Sequence, residues 1–130
     1  MNIDNFLAEN IKSGANEKKV KMERFKDPFV IQSISEFENA NLRKASTMRS
    51  KKSGTEVNTE MYVDKLVTAC VKVPDLNNAK LQESYLTQGD PSGTLKKMLL
   101  PGEYADLTTA IQELNGFDQE HEEIVDEVKK

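Results

Sequence analysis

The chain has 130 residues, a net charge of −4 and a mean hydropathy of −0.63, with 37% hydrophobic and 31% charged residues. That length suits one domain, and the apolar fraction is too high for wholesale disorder. An acidic chain lacks the basic footprint of a general nucleic-acid binder, and no apolar run approaches the ~20 residues of a membrane span, so neither partner is expected.

The charge is divided unevenly. Residues 1–52 carry 11 Lys/Arg against 7 Asp/Glu, and residues 53–130 carry 7 against 15. A +4 half followed by a −8 half suits head-to-tail self-association or a charged partner, with an ordinary solvated surface as the plain reading. Cys70 is the only cysteine, which excludes an intramolecular disulfide. Val67, Ala69 and Val71 around it mark a buried small hydrophobe. The N-terminus holds Asp4 and Glu9 and has no apolar signal core, so the expected setting is cytosolic.

Ile3, Phe6, Leu7 and Ile11 fall at helical spacing, predicting a short first helix before Gly14 and Asn16. From 18 to 34 the period changes. Val20, Met22 and Phe25 alternate with charged residues, Asp27-Pro28 signals a turn, and Phe29, Ile31 and Ile34 follow. This is a β-hairpin, whose apolar face must pack on helices or another subunit to be stable.

Ser35-Glu36-Phe37-Glu38 has the capping-box form and opens a helix to about Met48, with Phe37, Ala40, Ala45 and Leu42 placed inward. "RSKKSGTE" (49–56) reads as a basic solvated linker, with an anion site as its alternative. Asn58 or Thr59 caps the next helix, whose apolar face comprises Met61, Leu66, Val67, Cys70 and Val71. Val73 precedes Pro74, so the helix ends there.

"DLNNAKLQESYL" predicts a short helix anchored by Leu76, Leu81 and Tyr85 or Leu86. Asp90 as N-cap with Pro91 at the first helical position starts another. Leu95, Met98 and Leu99 form its stripe. Leu100 precedes Pro101, which begins a final helix carrying Tyr104, Leu107, Ile111 and Leu114 on one side, stopped at Asn115-Gly116. This helix–helix corner reads first as core. Leu99 and Leu100 at its edge are the partner-contact candidates.

Residues 118–128 hold six acids and no Lys or Arg, an acidic tail or docked helix with Ile124 and Val128 as its apolar contacts. The basic segment 43–52, with Arg43 and Lys44, is a candidate dock for such a tail from a neighbouring copy. The expected architecture is thus mainly α with a small N-terminal β-hairpin (α+β), a compact bundle of short helices over 1–117 followed by the tail 118–130.

Catalytic chemistry finds no support. His121-Glu122 begins like a zinc-protease motif, but Val125 stands where the second histidine is required, and His121 is the only histidine. The acidic cluster lacks the glycine and alternating oxygens of an EF-hand, and no phosphate-cradling glycine pattern occurs. No enzyme, metal or cofactor is expected.

Three segments carry a resemblance. "RFKDPFVIQSISEFENANLRKAS", "VPDLNNAKLQESY" and "LKKMLLPGEYADLTTAIQELNGFD" occur in the order seen in the tail assembly chaperones of tailed phages and prophages of Gram-positive bacteria. The likeness spans roughly residues 20–118, and its final segment is the most specific. One departure is Leu86-Thr87-Gln88, where the family pattern has glycine directly after the tyrosine. The resemblance implies a non-enzymatic chaperone of the host bacterial cytoplasm. It would bind the tape measure protein, keep it soluble, help tail tube protein polymerise around it, and be absent from the finished tail. A structural tail accessory retained in the particle is the alternative, and a small regulator binding nucleic acid through 43–52 is a third reading.

Overall fold

The computed structural model describes residues 2–10, 16–50 and 54–117. The chain opens with two short 3-10 turns, Ile3–Phe6 and Ala8–Asn10, rather than the expected α-helix. Ile3 and Phe6 are 70% and 61% exposed. With its described apolar side chains left largely exposed, so short a segment gains little packing to stabilise a longer helix.

A hairpin follows roughly where expected, but its strands are shorter than the 18–34 reading, and Met22, Phe25 and Ile34, read as strand residues, lie outside them. Strands β1 (Glu17–Val20) and β2 (Phe29–Gln32) pair antiparallel, Glu17 opposite Gln32 and Val20 opposite Phe29. Phe29 and Ile31 point into the core, and Phe25 meets Phe29 edge-on at 5.2 Å between ring centres. Helix α1 (Glu36–Ala45) is capped by Ser35, whose Oγ accepts the Glu38 N–H at 3.2 Å.

Its buried side is not the expected one. Asn39 and Ser46 are buried and Leu42 partly so, while Phe37 is 78% exposed and Ala45 is exposed. The polar pairing decides the helix's rotation: the Tyr62 hydroxyl of the next helix donates to Asn39 Oδ1, and Asn39 Nδ2 donates to Glu36 Oε1 at 2.9 Å. A buried amide must be satisfied, and that turns Phe37 outward.

The segment read as a linker is a second hairpin. Strands β3 (Thr47–Ser50) and β4 (Gly54–Val57) pair antiparallel, from Thr47 opposite Val57 to Ser50 opposite Gly54. Ser46 ends α1 by turning its hydroxyl back to the Leu42 carbonyl at 2.8 Å. The Asn58 N–H donates to the Ser46 carbonyl at 2.8 Å and closes the hairpin's base. Backbone pairing therefore shapes this polar stretch, which has no apolar alternation to advertise it.

Helix α2 (Thr59–Cys70), capped by Asn58, buries Leu66, Val67 and Cys70. Val71 leaves the helix and begins β5 (Val71–Val73), which joins the other edge of β2. The result is a three-stranded antiparallel sheet in the order β1-β2-β5. The Val73–Pro74 peptide is cis. Helices α3 (Ala79–Ser84), α4 (Pro91–Met98) and α5 (Pro101–Leu114) complete the chain, with Asn78 and Asp90 as side-chain caps. The core lies between the inner sheet face and α2, α4 and α5. Ile31, Val67, Cys70, Leu107 and Ile111 at its centre have no exposure. Each fully buried aliphatic side chain of this kind contributes about 1.5–3 kcal/mol.

The end of α3 explains the departure at Leu86. The Leu86 N–H bonds the Glu83 carbonyl at 3.0 Å and the Thr87 N–H bonds the Gln82 carbonyl at 2.9 Å, the paired bonds of a Schellman stop. Leu86 occupies the left-handed position of that motif, at φ 56°, where glycine is free of steric cost. Buried Gln82 organises the following loop, donating to the Leu76 carbonyl at 2.8 Å and accepting from the Gly89 N–H at 2.9 Å.

Candidate partner-binding surface

The corner between α4 and α5 is set first by local sequence. Leu100 is extended, Pro101 starts α5, and Glu103 reaches back to accept the Leu100 N–H at 2.7 Å. Leu95 and Met98 are buried, as are Leu107 and Ile111 beyond the turn. So the corner feeds the core, as the stripe predicted.

A distant residue then fixes it. Arg24, in the connection between β1 and β2, donates Nε to Glu103 Oε2 at 2.9 Å and Nη2 to Glu103 Oε1 at 2.5 Å. The same Nη2 donates to the Met98 carbonyl at 2.8 Å. This two-pronged arrangement is the strong form of an ion pair. The bond to Arg24 and, after it, the Leu100 N–H hold the Glu103 carboxyl down at about 2. Arg24 is raised in turn by the same contact. Two of the three segments that carry the family resemblance therefore meet in space, arginine of one against glutamate of the other. No periodicity signals a pairing across 79 positions.

On the outer side of this corner lies an open groove of about 500 Å³ between α2 and the α4–α5 turn. Val63, Leu99, Pro101 and Tyr104 form its apolar lining, and Glu60, Asp64 and Lys96 its charged lining. Asp64 organises it, accepting from the Tyr104 hydroxyl at 2.7 Å and from Lys96 Nζ at 2.5 Å. Burial first, and then the Asp64 carboxylate, push the Tyr104 phenol up, so it stays a neutral donor. Its ring is thereby locked as part of the groove wall.

Of the residues singled out from sequence, Leu99 lines this groove at 8% exposure and Leu100, beside it in the chain, is 55% exposed. Arg43 is on the exposed part of α1, 3.0 Å from Glu36, and Lys44 next to it is exposed. Arg43 and Lys44 lie on a different element from the corner and do not line its groove. Ile124 and Val128 lie outside the described residues. Sequence reasoning missed Val63, Glu60, Asp64 and Lys96. The available signal was Tyr104: a half-buried hydroxyl needs an acceptor, and Asp64 on α2 supplies it.

Cys70 is fully buried, and that burial pushes its thiol up to about 11, so it is a packing residue. Among the described residues no group of His, Cys, Asp and Glu could hold a metal ion, and no helix is long and apolar enough to cross a membrane.

The sequence profile of the phage XkdN-like tail assembly chaperone proteins matches residues 3–129. A crystal structure of the protein YqbN superimposes with a TM-score of 0.76 at 23% identity, over 90% of this chain and 98% of that one. That likeness speaks to the fold. No curated protein matches the chain. With a match running almost end to end, and with two of the family's segments joined through Arg24 and Glu103, the chain belongs to the phage XkdN-like tail assembly chaperone family, and its role is in phage tail assembly.

Proposed function

We propose that this protein binds the tape measure protein in the host bacterial cytoplasm, keeps it soluble, and promotes polymerisation of tail tube protein around it. It does this without catalysis and leaves before the tail is finished. The observation that carries the reading is the apolar groove at the α4–α5 corner. It is open to solvent and formed between α2 and the α4–α5 turn, the turn lying within the segment that carries the most specific part of the resemblance. A long tape measure exposes apolar helical faces until tube subunits cover them, and a helix-in-groove contact is the ordinary way to shield such a face. Leu99 and Leu100 are the contact residues of this surface.

Co-expression with the tape measure protein tests the proposal. Soluble yield should rise and a complex should survive gel filtration. Equal solubility without the chaperone, and no complex, would refute it. Mass spectrometry of purified tails should show the protein absent, and its stoichiometric presence there would assign it as a structural accessory instead.

A further inference from the structure

The groove carries more than apolar surface, and its charges are unequal. Asp64 is paired with Lys96 at 2.5 Å through one oxygen and accepts the Tyr104 hydroxyl at 2.7 Å through the other. Glu103, at the start of α5, is matched by Arg24. Glu60, one turn before Asp64 on α2, lines the groove, is exposed and has no ion pair among the described residues. The groove is therefore apolar along Val63, Leu99, Pro101 and Tyr104 and carries, among the described residues, one lining carboxylate without an ion pair, that of Glu60.

We infer that the groove accepts an amphipathic helix of a partner protein that presents a Lys or Arg beside its apolar stripe, the cation meeting Glu60 and the stripe lying along Leu99, Pro101 and Tyr104. This rests on the tape measure reading and specifies which kind of segment is taken. The apolar lining supplies affinity but little discrimination, because any helix with a greasy face would satisfy it. Glu60 supplies the discrimination: an acidic flank set against it would be repelled, and a basic flank attracted. Leu100, flanked in the chain by two lining residues and 55% exposed, extends the apolar contact at the corner.

The test uses the full chain and two synthetic helical peptides with the same leucines at i, i+3, i+4 and i+7, one flanked by lysines and the other by glutamates. The lysine peptide should shift the NMR amide signals of Val63, Leu99 and Tyr104. Glu60→Gln should weaken it by roughly two- to fivefold, the range of an exposed ion pair. Added salt should do the same to the unmodified protein. Leu100→Ser, at a site exposed enough to spare the fold, should weaken both peptides.

Equal binding of the two peptides, indifference to Glu60→Gln, or shifts confined to other surfaces would overturn the inference. So would groove signals that move with protein concentration alone, which would give the site to a second copy. The two readings fail separately. If the Glu60→Gln, Leu100→Ser double variant solubilises the tape measure protein as well as the parent does, the groove is not the contact surface, and the tape measure reading then rests on the family match and on the parent's own solubilising effect. If the parent itself gives no solubilisation, the tape measure proposal falls whatever the peptides do.

Discussion

Leu86 offers a test of the backbone argument that needs no partner. It holds the left-handed position closing α3, at φ 56°, with 77% of its surface exposed. A residue with a Cβ costs about 1–2 kcal/mol in that conformation. Glycine is spared the cost but loses about 0.5–1 kcal/mol more in chain entropy on folding. Comparing Leu86→Gly with Leu86→Ala removes the leucine side chain from both and leaves only these two effects. Glycine should then be the more stable by about 0.5–1 kcal/mol, a difference of roughly 2–5 °C in melting temperature for a chain of this size. At exposed Glu83, inside the same helix, the order should reverse, with alanine ahead of glycine by about 1 kcal/mol. Circular dichroism melts of the four variants suffice. Alanine equal to or better than glycine at 86 would show that the loop relaxes out of the left-handed conformation, and the account of the missing family glycine would be wrong.

Other consequences are equally direct. Leu107 is fully buried, so Leu107→Ala should cost about 2–5 kcal/mol; a melt within a degree of the parent would contradict its place in the core. Glu103 titrates at about 2 when folded against an ordinary value of 4.5. Its contribution to stability is thus present above that ordinary value and is lost as pH falls toward 2. The gap in melting temperature between the parent and Glu103→Gln should accordingly close between pH 5 and pH 2, and a constant gap would discount the Arg24 pair. The Cys70 thiol, raised to about 11 by burial, should resist a disulfide reagent in the native protein and react on unfolding. Gln82→Ala leaves the Leu76 carbonyl and the Gly89 N–H without their partner and should cost about 1–3 kcal/mol, read by chemical denaturation.

Local signals determined much of this protein. The helices after residue 58, their caps at Asn58 and Asp90, the stop before Pro101 and the stripe through Leu107 and Ile111 all follow from spacing, capping chemistry and proline geometry. Those effects act within one or two turns, which is why they can be read along the chain. The corner that joins α4 to α5, and the family it announces, belong to this legible part. Tertiary structure decided the rest. Phe37 faces outward because Asn39 finds Tyr62 on another helix. The polar stretch after α1 becomes β3 and β4 because its backbone groups pair with each other, with no apolar pattern to show it. Val71 joins a sheet because the edge of β2 is there to receive it. The groove exists because Asp64 meets Tyr104 across 40 positions, while Arg24 holds the corner from 79 positions away. Periodicity records which way one element turns its face. Hydrogen bonds between elements depend on where the chain brings them together, and only the folded structure supplies that.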